Sequence, residues 1–204
     1  MDLIIVRHGR PQRVEGAAGP ADPSLTDIGR EQAETVARFL LAEVVDHVVT
    51  SPMRRARETA EPLALALGID AEVIDDLAEI DSGNDSYLPM EELKAEGGQL
   101  WADLMADPSS IFDDDVDIEA FTDRVTAAFE ALVSAHAGRT VAVFCHGMTT
   151  MGYLRRIAGY ADPWALRTDY ASLTRVQASA SSGMRSIRSV NETAHLGPHR
   201  IVSP

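Results

Sequence analysis

Apolar positions along the chain switch between two spacings. Leu3 to Val6 is a short unbroken apolar run ending at Arg7-His8-Gly9, the pattern of a strand buried on both faces. After a Gly/Pro-rich loop from Pro11 to Ser24, Ile28, Ala33, Val36, Ala37, Leu40 and Leu41 recur on one helical face, with Thr26 placed as N-cap. Val44 to Thr50 predicts a second strand. Ser51-Pro52 then predicts a helix start, with Ser51 capping and Pro52 in the first turn. That helix is expected to reach Leu67 and stop at Gly68, kinked or broken at Pro62.

Further on, Ala71 to Ile74 predicts a weaker strand, Met90 to Met105 one helix, and Ile118 to Ala135 a longer amphipathic helix. Thr140 to Cys145 is the clearest strand, and it too ends in His-Gly, at His146-Gly147. Met148 to Ala158 predicts a helix. Strands near Ser172–Gln177 and Arg185–Val190 follow, joined by the turn-like Ala180-Ser181-Ser182-Gly183. Strands alternating with helices imply an α/β fold: a three-layer sandwich around a mostly parallel central sheet, taken as one domain over 1–204 with a cap insertion at about 81–120.

Composition narrows the function. The 204 residues are 45% hydrophobic, which rules against disorder, and their formal net charge is −14. Nucleic acid and anionic membrane surfaces both demand a basic footprint that this chain lacks. No apolar run approaches the roughly 18 residues of a membrane span. The start has no basic leader and long apolar core, and a single cysteine, Cys145, suits a reducing compartment; the expectation is a soluble, cytoplasmic protein. Asp113-Asp114-Asp115 with Asp117 and Glu119 reads as a solvated surface segment, His47 and His136 as structural, and His195 and His199 as part of a mobile tail.

Against that acidic background the strand ends are basic. Open parallel sheets bind ligands beyond the carboxyl ends of their strands. There the chain delivers Arg7 and His8, then the cluster Arg54, Arg55 and Arg57, then His146 and Gly147 at the mouth of a helix. Imidazoles and guanidiniums beside helix N–H groups make an anion site, with a phosphate monoester as the best-matched ligand. An imidazole can attack phosphorus if its far nitrogen is held, but spacing does not say which histidine reacts. A carboxylic acid of raised pKa is then needed for the leaving oxygen; Glu79 is best placed and Asp81 second.

These residues resemble the histidine phosphatase, or phosphoglycerate mutase-like, superfamily. Arg7-His8-Gly9 resembles its opening signature, Leu25-Thr26 through Ala33 its first helix start, Ser51 to Ala60 its arginine motif, Leu77-Ala78-Glu79-Ile80 its acid segment, and Cys145-His146-Gly147 its second histidine. The resemblance implies His8 as the phosphorylated nucleophile, Arg7, Arg55 and His146 as the phosphate pocket, and Glu79 as proton donor and later activator of water. It implies no metal and no organic cofactor. Arg10 is a candidate for a second anionic group of the substrate, and Gly147 for close ligand approach. The expected partners are a small phosphorylated metabolite and inorganic phosphate as product.

The chain departs from the mutase pattern. Arg10-Pro11 stands where mutases carry Glu-Ser, Val14 where they carry Asn, and Ser82-Gly83-Asn84-Asp85-Ser86 follows the acid segment. Hydrolysis is therefore expected over phosphoryl transfer, with a mutase or a non-catalytic phospho-ligand sensor as the alternatives. Tyr87, Leu88, Trp101, Met105 and Phe112 either line or pack the cap, packing being favoured. Trp164 raises a homodimer interface as a possibility.

Overall fold

The computed structural model describes residues 1–108 and 116–201, so Phe112 and Asp113 to Asp115 lie outside the described residues. In chain order the elements are β1 (Asp2–Arg7), α1 (Asp27–Leu40), β2 (His47–Thr50), α2 (Arg54–Leu67), β3 (Glu72–Val73), α3 (Met90–Glu96), α4 (Gly98–Ala106), α5 (Ile118–Ala135), β4 (Thr140–Cys145), α6 (Gly147–Ala158), β5 (Leu173–Ala178) and β6 (Arg185–Glu192). The described strands form one sheet in the order β3-β2-β4-β1-β5-β6. The first four run parallel, and β5 and β6 are antiparallel additions on one side.

Strand alternation divides the core into two layers. Leu3, Ile5, Val49, Val141 and Val143 face α5 and α6, where Phe129, Leu132, Val133 and Leu154 cover them. Their neighbours Ile4, Val6, Val48, Ala142 and Phe144 face α1 and α2, against Val36, Leu40, Ala60 and Leu63. Both faces of each central strand are thus buried, which is why these strands read as continuous apolar runs. Each large aliphatic or aromatic side chain buried this way contributes about 1.5 to 3 kcal/mol.

Several local expectations need correction. Val44 is 76% exposed and β2 begins only at His47. Asp46, ahead of it, instead accepts from the Thr140 amide at 2.8 Å and pairs with Arg139. Helix α2 starts at Arg54 without a side-chain cap, because the Ser51 hydroxyl is engaged elsewhere, and it runs unbroken past Pro62 to a left-handed Gly68 (φ 68°). The single helix expected over Met90 to Met105 is two, divided at Gly97-Gly98, where φ is 65° and 84°. Asp117 is not idle surface charge: it caps α5, accepting from the Ala120 amide at 2.9 Å. Glu119 pairs with Arg155 at 2.6 Å.

Nor is the C-terminal segment a loose tail. Residues Ala194–His199 form a 3-10 turn that buries Leu196 against the α1/α2 layer. Gln32 Nε2 donates to the His199 carbonyl at 2.7 Å, and the His195 ring stacks on Phe39. The local sequence there is polar, so only tertiary packing reveals its role.

Close backbone approach holds the loop after β1 against α1. Thr26 caps α1 by accepting from the Gly29 amide at 3.1 Å and donating to the Arg10 carbonyl at 3.0 Å. A Cβ on Gly29 would sit 2.2 Å from the Arg10 carbonyl oxygen, and one on Gly9 2.5 Å from that of Gly29. Helix propensity alone favours alanine at Gly29 by roughly 0.5–1 kcal/mol. The clash reverses the sign: Gly29→Ala is expected to destabilise by about 1–3 kcal/mol, lowering the melting temperature by several degrees in a thermal unfolding scan. A rise would show that this approach is slack.

Candidate active site

The parallel register sets the site. Arg7 pairs with Cys145 across β1 and β4, so the residues that leave the two strands, His8 and His146, emerge side by side. The His8 amide donates to the Cys145 carbonyl at 2.9 Å, and the two rings lie 5.1 Å apart between centroids. Both side chains are buried. Burial, reinforced by the Arg55 and Arg7 guanidiniums, holds the pKa of His8 well below that of an ordinary histidine. Burial and Arg55 act likewise on His146, with His8 and Arg7 adding to them. Both imidazoles are neutral at pH 7.

A hydrogen bond fixes the His8 tautomer. His8 Nδ1 lies 2.8 Å from the Gly9 carbonyl oxygen. A carbonyl only accepts, so Nδ1 carries the proton and Nε2 keeps its lone pair. Ser51, just after β2, lies with its hydroxyl 2.7 Å from His146 Nε2. The same oxygen accepts from the Met53 amide at 3.3 Å. His146 Nδ1 is a buried atom with no hydrogen-bond partner among the described residues.

Arg55 enters from the first turn of α2 and is fully buried. Its NH2 group donates to Asp81 at 2.8 Å, while Nε and NH1 have no acceptor among the described residues. Its guanidinium also lies 4.8 Å over the Tyr87 ring. Arg7 sits 4.2 Å over Tyr170 and donates to the Thr168 carbonyl. A buried donor left without an acceptor costs about 1–3 kcal/mol, more when charged, so the Arg55 donors point to an anionic ligand. The N-terminus of α6, beginning at Gly147 and with no cap from its own N-cap side chain, adds a positive dipole end to the same pocket.

Glu79 faces this group from the loop after β3. Its two carboxyl oxygens accept from the Ile80 amide at 2.9 Å and the Met148 amide at 2.8 Å. Even so, its pKa is pushed up to about 7, first by burial and then by the Asp81 carboxylate nearby. Amide donors favour the charged form, yet withdrawal from water outweighs them here. Asp81 itself is bound to Arg55, which makes it a partner of the cation pocket. The Cys145 thiol, raised to about 12 by burial, offers no nucleophile.

Arg7, His8, Arg55, Glu79, Asp81 and Gly147 line one pocket of about 770 Å3, and the buried His146 ring lies beside His8. Arg10 does not join them. Its guanidinium is held by Glu91 at 2.7 Å and by Glu92, both on α3, so the substrate contact expected of it is already occupied by protein carboxylates. Trp164 lines the pocket and packs with Met148 and Met151. Tyr87, Leu88, Trp101 and Met105 also line the pocket, where packing alone had been favoured. Thr168 and Tyr170 carry no signal in their sequence context, and Ser51 reads there as a helix cap and not as a partner of His146.

The sequence profile of the histidine phosphatase superfamily, branch 1, matches residues 3–193. The chain belongs to the histidine phosphatase superfamily. It is 30% identical over 200 residues to a bifunctional protein of Mycobacterium tuberculosis, covering 95% of this chain and 54% of that one. The chain thus spans about half the length of these first relatives. Identity is 29% to a probable phosphoglycerate mutase of Yersinia enterocolitica, over 96% of this chain and 95% of the mutase. For phosphoserine phosphatase 1 of Hydrogenobacter thermophilus it is 26%, over 96% and 94%. A mycobacterial glucosyl-3-phosphoglycerate phosphatase shares the histidine phosphatase fold at a TM-score of 0.74, with 21% identity over 95% and 99% of the two chains. Among the described residues, no helix of this histidine phosphatase homologue is long and apolar enough to cross a membrane.

Proposed function

We propose that this protein is a metal-independent phosphomonoesterase that works through a phosphohistidine at His8. The observation that carries this reading is the His8 hydrogen bond to Gly9, which presents the Nε2 lone pair beside the donors of Arg55 that lack an acceptor. In the first step Nε2 attacks phosphorus and the ester oxygen departs. Arg7, Arg55, His146 and the α6 N-terminus take up charge on the phosphoryl oxygens. Glu79, protonated at and below about pH 7, gives its proton to the leaving oxygen. In the second step Glu79 accepts a proton from water as that water attacks phosphorus, which frees His8 and releases inorganic phosphate. No cofactor takes part.

Hydrolysis is favoured over mutase chemistry because the two arginines of the loop after β1 are already spent. Arg10 is bound by Glu91 and Glu92, and Arg13 by Glu15 and Glu96. A mutase must hold a phosphorylated product in place, and these arginines are committed within the protein. The test is release of free phosphate from an aryl phosphomonoester in excess chelator. Sustained release is expected; release abolished by chelator, or isomerised ester in place of phosphate, contradicts the reading.

Ser51 is assigned as the residue that positions the His146 ring. Ser51→Ala removes one hydrogen bond worth about 1–1.5 kcal/mol, so kcat/KM is expected to fall roughly tenfold. Ser51→Thr, which keeps the hydroxyl, should recover most of it in the same steady-state assay. Equal loss in both variants would assign Ser51 to packing.

A further inference from the structure

The phosphate pocket occupies one end of a much larger cavity. At about 770 Å3 the pocket falls within the roughly 300 to 1,000 Å3 that accommodate a drug-sized ligand. Beyond the cationic end its walls are largely apolar. Leu100, Trp101, Leu104 and Met105 follow helical spacing on α4, and all four line the cavity. Leu100 and Met105 are 46% and 47% exposed, whereas Leu104 is buried, so this apolar face of α4 is only partly covered by the described protein. Met151 and Trp164 also line the cavity, packed with Phe121 and Val125. Methionine and tryptophan there offer a polarizable surface that adapts to rings and chains.

Charge in this outer region does not invite a second anion. Asp81 is already paired with Arg55, and the Asp85 carboxylate stands there against one exposed guanidinium, Arg167. Arg10 and Arg13 are held in ion pairs outside it. A substrate carrying a carboxylate or a second phosphate would meet one guanidinium offset by one carboxylate, and otherwise a wall rich in hydrocarbon. An apolar alcohol group would leave water for that wall. The two ends therefore select different things: cations for one phosphoryl group, hydrocarbon for what it is attached to.

We infer that the preferred substrates are phosphomonoesters of apolar alcohols, with an aliphatic chain or an aromatic ring seated against α4 and Trp164 and no second anionic group. This rests on the phosphatase reading above and extends it to the substrate class.

A homologous series of primary alkyl phosphates, ethyl to hexyl, tests it, because the leaving-group pKa barely changes along the series. Burial of a methylene is worth about 0.8 kcal/mol, so kcat/KM is expected to rise about two- to fourfold per added methylene. Hexyl phosphate should exceed 3-phosphoglycerate and phosphoserine by at least tenfold. In Trp101→Ala and Trp164→Ala the hexyl-to-ethyl ratio should fall about tenfold. That ratio is unaffected by the fraction of folded enzyme, so loss of protein does not imitate the effect. A flat series, or faster turnover of 3-phosphoglycerate or phosphoserine that Arg167→Gln removes, overturns the substrate class while leaving the phosphatase reading in place. If none of these esters releases phosphate, both fall together.

Discussion

His8→Ala is expected to lower phosphomonoester turnover by at least about 10⁴-fold while the protein stays folded and still binds inorganic phosphate. The two halves of that result have separate causes. The imidazole supplies the attacking lone pair, held in place by the Gly9 carbonyl, and no neighbouring side chain offers a substitute. His146 is fully buried with its Nε2 bonded to the Ser51 hydroxyl, and Cys145 is a buried thiol with its pKa near 12. Binding, by contrast, draws on Arg7, Arg55 and the α6 N-terminus, all untouched by the substitution. His8 is neutral in the folded protein, so its loss strands no charge. Turnover assays, phosphate titration by calorimetry and a melting scan check the three parts. Turnover within tenfold of the parent would remove His8 from the chemistry.

Glu79→Gln is the second large effect, and it depends on the leaving group. General acid catalysis contributes about 10² to 10⁴-fold. An alkyl phosphate, whose alkoxide needs that proton, should lose about that much in kcat/KM. An aryl phosphate with an acidic phenol should lose no more than about tenfold in the phosphorylation step, since the phenolate leaves unaided. The pH profile gives the sign independently. With a pKa of about 7, the acid form of Glu79 declines as pH rises through 7, so alkyl ester turnover falls on the alkaline side. On the acid side His8, with its depressed pKa, remains an unprotonated nucleophile below the usual histidine range. The optimum is thus expected below pH 7, and the alkaline limb near 7 should vanish in Glu79→Gln. An unchanged limb would assign it to another group.

Much of this site is legible in the sequence because its parts leave strand ends at fixed points. Arg7-His8 and His146 each follow an apolar run, and parallel pairing of two such runs brings their ends together whatever else the chain does. Glu79 is legible by its place in the chain and by resemblance to a family, whereas Arg55 is legible only through the resemblance, since nothing local marks one of three arginines. Arg10 misleads because its partners Glu91 and Glu92 are about 80 residues away, and pairing at that range leaves no local pattern. Ser51 fits a helix cap locally, while its actual partner, His146, comes from a different strand.

The wall built by Thr168 and Tyr170 is legible least of all. This segment enters just before antiparallel β5 and passes under His8, whose carbonyl accepts from the Ala171 amide at 3.1 Å. Ala171 adopts φ 56° there, a left-handed geometry that an alanine sequence does not advertise. The break at Gly97-Gly98 is different. Two adjacent glycines are visible in the sequence, and only the apolar spacing across them suggested continuity.

The most direct test of the account is to trap the intermediate. Glu79→Gln should form the phosphoenzyme readily from an aryl phosphate, because the leaving group needs no acid, and hydrolyse it slowly, because the attacking water has lost its base. After rapid denaturing quench and digestion in alkali, peptide mass spectrometry should find one phosphoryl group on His8, lost on acid treatment. His8→Ala should show none. Steady phosphate release with no phosphoryl group on His8, or one carried by another residue, would contradict the phosphohistidine route.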